Sequence, residues 1–494
     1  MTGSALAVLA LAPGCSTLAE GDLHVHASPA HASPAHASPA SPSPLSSAPT
    51  PVSPSPALTG PATADLRDPA EVASVDGLLK TRIVVERKKV DLAGRRLWAL
   101  TYNGQYMPPT LRLRLGDRMD VEFENRLDQH TNLHVHGMHV SPSGNSDNIF
   151  LSIAPGKTFH YAYRFPKNLA PGTYWYHPHP DMDSAAQTAG GMSGIIVVDG
   201  LEQYLPSGLR HLTEHVIALK DFQIVRDRIK TQNLKMGAPT TRTVDGQLNP
   251  RITIRPGETQ LWRLANIGAN IFYKVALKGQ KFHVVAQDGF PVNTVYQADS
   301  LIIPAGARYD VLVQGGPPGT RLLETLPYNT GKAGNQFPQA TLATVRSTGE
   351  PMAAQPLPTA FAPAQDLAAA RVAARKTITY TENKAGTKFY VNGKRFDLHR
   401  VDFRSRLGTV EEWNLRNDTD EVHSFHLHTD DFQVMSINGR PQRNYGFQDT
   451  VDIPQRGRMV IRVRFADFAG RTVLHCHVLN HEDLGMMSVL QIDK

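Results

Sequence analysis

The sequence predicts an all-β protein built from three homologous domains of β-sandwich size. The 494 residues include 38 Gly and 36 Pro, a content that favours many turns and short strands over a helical bundle. Stretches of alternating apolar and polar residues recur along the chain, as expected of half-buried strands. In addition, one longer pattern occurs three times, and this repeat sets the number of domains.

The repeated pattern reads NGQYMPPTLRLRLGDRMDVEFENRL at 103–127, DGQLNPRITIRPGETQLWRLANIG at 245–268 and NGKRFDLHRVDFRSRLGTVEEWNLRND at 392–418. Each copy has a turn dipeptide, an alternating stretch, a Gly-containing turn, a second alternating stretch and then Asn. Two strands with a tight connection fit each copy. An interval of about 140 residues indicates three sandwich domains rather than a solenoid. We place these domains at 71–200, 201–355 and 356–494.

The N-terminal residues predict export. Residues 1–22 hold a short apolar run followed by small residues and Cys15, which is typical of a lipoprotein signal, with a plain secretory signal as the alternative. Residues 23–70 are rich in Ser, Pro, Ala and His, with HASPA three times in tandem, so we expect a disordered stalk. Both signal types predict a protein of the periplasm or cell envelope, and the first predicts a lipid anchor on Cys15.

Charge and cysteine content exclude some functions. The net charge of +6 is mild for this length and no dense Lys/Arg run is present, so we expect no nucleic-acid partner. With Cys15 in the signal, the folded body contains Cys476 alone, which excludes a disulfide within it. A lone body cysteine is a core thiol, a nucleophile or a metal ligand.

Eight of the 21 histidines form four His-x-His pairs. The pairs are His134 and His136, His177 and His179, His426 and His428, and His475 and His477. Residues i and i+2 of a strand share a face, so each pair presents two imidazoles side by side. Two pairs lie in the first predicted domain and two in the third, a distribution that is far from chance. Eight imidazoles also suit three copper ions, two held by three histidines and one by two.

The position of Cys476 predicts a second site on the same strand. It lies between His475 and His477 and therefore points to the opposite face. His423 precedes His426 by an odd separation and should also face away from the pairs. The following segment HEDLGM supplies His481 and Met486. Two His, one Cys and a weak axial Met form the ligand set of a blue copper site.

At this point the chain resembles a known family. The motifs HVHG (134–137), HPH (177–179), HSFHLH (423–428) and HCHVLNHEDLGMM (475–487) are similar, in order, to those of the multicopper oxidases, which include laccases and bacterial cuprous oxidases. The resemblance extends over about residues 75–494. It implies three cupredoxin-like Greek-key β-sandwich domains after a disordered N-terminal tail.

The resemblance also implies four copper ions per chain and their ligands. The type 1 copper would be held by His423, Cys476, His481 and Met486, and the type 2 copper by His134 and His426. The type 3 pair would be held by His136, His177, His179, His428, His475 and His477. A reducing substrate would deliver single electrons to the type 1 site, and dioxygen would be reduced to water at the other three ions. One chain carries the complete set, so we expect a monomer.

Oxygen reduction consumes protons, so we expect acids near the cluster. Asp147 in GNSDN and Glu482 beside His481 are the candidates. Alternatively each carboxylate only orients a ligand imidazole, a role for which Asp449 in FQDTV is a further candidate. The other seven body histidines match no ligand motif and are predicted to be surface or hydrogen-bonded core residues. Among them His139 lies nearest to the first pair in sequence.

The electron donor stays open between two classes. A laccase-like enzyme oxidises phenols or aromatic amines, whereas a metal oxidase acts on Cu(I) or another metal ion. Thioethers suit Cu(I), but the 12 methionines are dispersed and 350–375 contains only Met352, which favours the laccase-like function. A copper-free structural protein on the same fold is a remote alternative, because all twelve ligands are present.

Overall fold

The computed structural model describes residues 64–363 and 366–494. The predicted export signal with Cys15, and the predicted stalk up to residue 63, lie outside the described residues. Within the described part, strands make up nearly all of the regular secondary structure. No described helix is both long and apolar enough to cross a bilayer.

The described strands follow one another in three groups. The first group is β1 (Glu71–Ala73), β2 (Leu78–Leu92), β3 (Arg95–Tyr102), β4 (Thr110–Leu113), β5 (Arg118–Asn125), β6 (His134–His136), β7 (Thr158–Arg164), β8 (Gly172–His177) and β9 (Gly194–Val198). A short helix α1 (Ser184–Ala189) precedes β9, and two 3-10 turns (Leu201–Tyr204 and Ser207–Leu209) follow it.

The second group begins after these turns. It comprises β10 (Thr213–Phe222), β11 (Ile224–Val225), β12 (Arg228–Ile229), β13 (Thr241–Val244), β14 (Arg251–Ile254), β15 (Thr259–Asn266), β16 (Tyr273–Leu277), β17 (Phe282–Gln287), β18 (Phe290–Ala298), β19 (Leu301–Ile303), β20 (Arg308–Gln314), β21 (Gly319–Thr325), β22 (Tyr328–Asn329), β23 (Gln336–Phe337) and β24 (Ala340–Ser347).

The third group contains the last eleven strands and the second helix. It comprises β25 (Val372–Glu382), β26 (Phe389–Val391), β27 (Val401–Arg406), β28 (Val410–Asn417), β29 (His423–Leu427), β30 (Phe432–Ile437), β31 (Arg440–Pro441), β32 (Thr450–Ile453), β33 (Arg458–Arg464), β34 (Gly470–Cys476), α2 (Leu479–Asp483) and β35 (Met487–Asp493).

The groups build three pairs of sheets, each with one five-stranded and one six-stranded sheet, and β22 and β23 form a separate two-stranded sheet. The five-stranded orders are β1-β4-β9-β8-β6, β14-β24-β21-β16-β19 and β27-β35-β34-β29-β32. The six-stranded orders are β11-β12-β3-β2-β5-β7, β13-β10-β15-β20-β17-β18 and β26-β25-β28-β33-β30-β31. The all-β prediction is therefore confirmed. The hairpin β11–β12 extends the first group's sheet, although it follows the predicted boundary at residue 200.

The repeated sequence pattern corresponds to one structural step in each group. Its two alternating stretches are β4 and β5 in the first group, β14 and β15 in the second, and β27 and β28 in the third. In every case the first strand belongs to the five-stranded sheet and the second to the six-stranded sheet. The Gly-containing turn thus carries the chain from one sheet to the other.

The Asn that ends each copy has the same buried role. Asn125, Asn266 and Asn417 are all 0% exposed. Each side-chain amide donates to two backbone carbonyls, and each Oδ1 accepts the backbone N–H two residues later. A buried amide without such partners would be costly, so this residue locks the loop that follows the second strand.

The apolar cores lie between the paired sheets. The first group has its own cluster, with Phe123 from one sheet and Tyr174 from the other. The second and third groups share a continuous cluster that includes Trp262, Trp413 and Cys476. Close packing of this kind fixes side chains in single positions, which gives the histidine-bearing strands a rigid base.

Candidate metal centre

The four histidine pairs lie on, or directly after, strands that are hydrogen-bonded in twos. Strand β6 pairs with β8, so that His134 stands opposite His177. Strand β29 pairs with β34, so that His426 stands opposite His475. Two five-stranded sheets, one from the first group and one from the third, therefore each present four imidazoles.

The two sets meet to form one cluster of eight imidazoles. Rings from different groups stack on each other: His134 on His428 at 4.1 Å and His136 on His426 at 3.9 Å between centroids. Three triads have nitrogen atoms that all lie within 4.8 Å of one another. The triads are His134, His136 and His426; His136, His177 and His477; and His179, His428 and His475.

Burial gives these nitrogens the state that a metal ligand needs. Burial lowers the pKa of His134, His177 and His428 well below the usual value, and neighbouring imidazoles lower it further. Neutral imidazoles keep a lone pair for a metal. Buried nitrogens without any hydrogen-bond partner are His134 Nε2, His136 Nδ1, His177 Nε2, His426 Nε2, His428 Nδ1 and both of His477. Such atoms are costly when left unpaired.

Asp147 contacts the first pair directly. Its carboxylate oxygens lie 2.9 and 3.0 Å from His134 Nδ1, and one of them accepts the Val135 N–H at 3.0 Å. The side chain is fully buried, and this burial raises its pKa to about 8 against the effect of the Val135 hydrogen bond. The contact to Nδ1 leaves Nε2 of His134 as the free nitrogen.

Glu482 reaches the cluster and not the histidine beside it in sequence. Helix α2 turns its carboxylate back, so that it lies 2.8 Å from His475 Nδ1 and 3.6 Å from His179 Nδ1. Burial opposes ionisation, but His179 and His475 outweigh it and lower the pKa of Glu482 to about 2. Glu482 therefore lies behind imidazoles of the cluster and not behind His481.

Asp449 also contacts the cluster, through its side chain and its backbone. Its Oδ1 accepts His136 Nε2–H at 3.1 Å, and its backbone carbonyl accepts His426 Nδ1–H at 2.8 Å. Burial raises the pKa of Asp449, but Arg308 and His426 outweigh this effect and lower the pKa to about 2. It supports one imidazole of the first group and one of the third.

The sequence analysis did not predict two residues that support the histidine cluster, Asn132 and Arg308. Asn132 accepts the His179 N–H at 2.6 Å and donates to the His179 carbonyl at 2.9 Å, which ties the first two motifs together. Arg308 donates to both carboxylate oxygens of Asp449. Asn132 stands two residues before HVHG, a proximity that offered a hint, whereas Arg308 lies in a segment without any histidine motif.

The second site lies on the other face of strand β34. Cys476 Sγ is 3.6 Å from His423 Nδ1 and 3.8 Å from His481 Nδ1, and these two nitrogens are 3.1 Å apart. All three residues are buried. Burial raises the pKa of the thiol well above its usual range and lowers those of both histidines.

The surroundings of this site fix its two imidazoles. Phe389 stacks on His481 at 4.1 Å between ring centroids, and His423 Nε2–H donates to Thr419 Oγ1 at 3.0 Å. Glu421 Oε1 lies 3.6 Å from His481 Nε2. Met486 is fully buried, and its backbone N–H and carbonyl bond to His481 and Cys476.

Two residues close to the motifs, Met487 and His139, lie outside both sites. Met487 packs with Ile149 and Val473 in a small apolar cluster. His139 Nδ1–H donates to the Thr429 carbonyl at 2.8 Å, and its Nε2 lies 3.0 Å from Asp467. It belongs to none of the three histidine triads of the cluster.

The donor sets fit copper. Imidazole suits copper, and a His₂Cys set with a weak axial thioether is the blue-copper type. The cluster supplies orphaned imidazole nitrogens in three triads, and the second site supplies one thiol and two imidazole nitrogens within 4.8 Å of one another. Metal binding would satisfy the unpaired nitrogens and stabilise the thiolate form.

Comparison with protein families also indicates copper-binding domains along most of the chain. Three family models, each described as multicopper oxidase, match residues 84–203, 214–347 and 368–494. They correspond to the three strand groups in order.

Individual relatives are similar over most of their length. The multicopper oxidase mco of Staphylococcus aureus is 25% identical over 410 residues, covering 80% of this chain and 84% of that protein. A multicopper oxidase of Campylobacter jejuni described as a metallo-oxidase has a TM-score of 0.77 and 25% identity, covering 88% and 96% of the two chains. A laccase-like CueO of Ochrobactrum sp., described as active towards lignin model compounds, has a TM-score of 0.74 and 25% identity, covering 86% and 100%.

Proposed function

The chain belongs to the multicopper oxidase family, and from this premise we propose that it couples oxidation of a reducing substrate to the reduction of dioxygen to water. The substrate gives up one electron at a time at the site of Cys476. The eight-histidine cluster is the site at which four electrons and four protons meet dioxygen.

The observation that carries this proposal is the juxtaposition of the two sites on strand β34. Cys476 lies beside His423 and His481, whereas its two neighbours in sequence, His475 and His477, face the cluster. The path from one site to the other therefore runs through consecutive residues. Such a short covalent path suits electron transfer.

We assign four copper ions to the chain. The type 1 ligands are His423, Cys476, His481 and Met486. The type 2 ligands are His134 and His426, and the type 3 ligands are His136, His177 and His477 for one ion and His179, His428 and His475 for the other. Apart from Met486, these sets follow the groups of nearby ligand atoms, with His136, which belongs to two groups, assigned to a type 3 ion. When bound, copper supplies the one-electron redox chemistry that the side chains lack.

The chain's own residues hold the ligands and handle protons. Asp147 and Glu482 are the proposed proton-handling groups, since each is buried and lies within 3.0 Å of a cluster imidazole. The raised pKa of Asp147 suits a proton donor, and the lowered pKa of Glu482 suits a carboxylate that accepts a proton and passes it on. Both also set ring orientation, as carboxylates behind metal ligands commonly do. Glu482 borders a cavity of about 540 Å³ lined by Asp181, His399 and Arg400 among others, which gives it a route toward solvent.

For the donor we propose phenols or aromatic amines, with a metal ion such as Cu(I) as the second candidate. The similarity to a laccase-like enzyme active on lignin model compounds favours the first, and the similarity to a metallo-oxidase favours the second. The dispersed methionines favour the first. We further propose that the protein is exported to the periplasm or cell envelope and acts as a monomer.

The test is a measurement of copper content together with oxygen uptake. Purified protein should bind four copper ions, show a blue absorption band and consume dioxygen with one of three donors: a phenol, an aromatic diamine or Cu(I). Oxygen uptake with Cu(I) alone would make it a metal oxidase. Protein that stays free of copper after loading would instead support the structural, non-enzymatic alternative.

A further inference from the structure

The middle group of strands supplies none of the eight cluster histidines, yet one of its side chains reaches them. Arg308 begins strand β20 and is 0% exposed. Its two terminal nitrogens donate to the two carboxylate oxygens of Asp449 at 2.9 and 2.6 Å. Its Nε donates to the Thr173 carbonyl at 3.1 Å. The guanidinium therefore joins the first, second and third strand groups at one point.

Asp449 passes this constraint to two imidazoles from different groups. Its Oδ1 accepts the N–H of His136 Nε2, and its backbone carbonyl accepts the N–H of His426 Nδ1. A neutral imidazole has one N–H and one lone pair. His136 is thereby left with Nδ1 free and His426 with Nε2 free, and both free atoms are buried without a partner.

The chain leaves room for this contact at a defined position. Gly137, directly after the first histidine pair, has φ of +79°. A Cβ at this position would collide with the Arg308 guanidinium and the Asp449 carboxylate. A side chain at position 137 would therefore push the Arg308 guanidinium and the Asp449 carboxylate away from the backbone that carries His136.

We propose that Arg308 is a positioning residue for the oxygen-reducing cluster. Through Asp449 it fixes which nitrogen His136 and His426 present to copper, and it sets the spacing between the two halves of the cluster. The inference rests on the proposed function, because it concerns copper held by these histidines. The middle group of strands thus supports the cluster through Arg308, although it supplies no histidine.

A matched arginine separates this role from that of an ordinary buried ion pair. Arg263 is 2% exposed and belongs to the same six-stranded sheet. It lies 2.7 Å from Glu214 and 3.4 Å from Asp310. Neither it nor those carboxylates has a described hydrogen bond or ion pair to a cluster histidine. Loss of either arginine should destabilise the fold, but only Arg308 should affect the cluster.

The experiment compares Arg308→Lys with Arg263→Lys. The measurements are the unfolding temperature of the copper-free protein, copper per chain, the blue absorption, the paramagnetic resonance of the type 2 copper, and the rate of cluster reoxidation by dioxygen. We expect both variants to lose thermal stability and keep the blue band. Arg308→Lys alone should shift the type 2 resonance, lower the copper content below four and slow reoxidation by about 10–100-fold.

A type 2 resonance and reoxidation rate unchanged in Arg308→Lys would overturn the proposal, as would the same changes in both variants. Should Arg308→Lys not fold, Asp449→Asn keeps the side-chain size but removes the charge that Arg308 binds. A wild-type resonance in that variant would also overturn the proposal. Absence of any type 2 signal in the wild-type protein would instead refute the proposed function.

Discussion

The Cys476 site and the eight-histidine cluster share one strand but are built in different ways. His423, Cys476, His481 and Met486 all lie within 423–486 of the third group, so one pair of sheets makes the whole site. The cluster needs histidines from the first and third groups and a supporting arginine from the second. The Cys476 site depends on the fold of the third group alone, whereas the eight-histidine cluster forms only when all three groups are docked.

Because the two sites are built differently, a substitution in one site should leave the other site intact. Residues of the Cys476 site can be altered without disturbing the cluster, because Cys476 points to the opposite face of β34 and neither His423 nor His481 has a described hydrogen bond or ring contact to a cluster histidine. The reverse should also hold for cluster residues outside β34. Substitutions of single residues test this independence.

Cys476→Ser should abolish both the blue absorption and turnover. The hydroxyl is not a thiolate, so copper loses the ligand that gives the colour, and electrons lose their entry point. Copper content should fall from four ions to three while the type 2 resonance persists. Visible absorption and metal analysis check this. A variant that stays blue would contradict the assignment of Cys476.

His428→Ala should stop oxygen reduction but leave the blue band. His428 belongs to a cluster triad and has no described contact to the Cys476 site. Reduced type 1 copper should no longer reoxidise in air, which rapid-mixing absorption measures. Its control is Cys476→Ser, which should lose the blue band and keep the type 2 resonance. Normal oxygen uptake by His428→Ala would show that the four pairs do not form one reaction site.

Glu482→Gln should lower turnover by about 10–100-fold, the range usual for groups behind metal ligands. Glutamine keeps the shape but cannot accept a proton and pass it on. Reoxidation of the prereduced enzyme should become limiting, with a larger solvent isotope effect. The matched control is Glu421→Gln, a buried glutamate beside His481, which should alter the blue site alone. If Glu482→Gln is reoxidised at the wild-type rate at both acid and neutral pH, Glu482 is excluded from the proton path and Asp147 is left as the candidate.

Thr419→Val should have the smallest effect. It removes the hydroxyl that accepts the His423 Nε2–H, a loss of about 1 kcal/mol. We expect a small shift of the blue band and of the type 1 potential, with a change in turnover below about fivefold. Spectroelectrochemistry measures the shift. Any change in the type 2 resonance would show that the two sites are less independent than their geometry implies.

Sequence alone was sufficient for features that depend on periodicity and residue chemistry. The all-β class followed from alternation and turn residues, and the repeated pattern marked one sheet-to-sheet step in each group. Parity along a strand placed Cys476 away from His475 and His477, because successive side chains alternate in direction. The family followed from four motifs in order, and the family models confirm it.

Only the tertiary structure decided the features that depend on distant segments meeting. Glu482 is next to His481 in sequence but contacts His475 and His179, because helix α2 turns its side chain back. Arg308 is 141 residues from Asp449, and no local pattern marks it. Periodicity determines the face on which a side chain lies, but docking of the groups determines what it meets there. A partner held by packing across groups leaves no regular spacing in the chain.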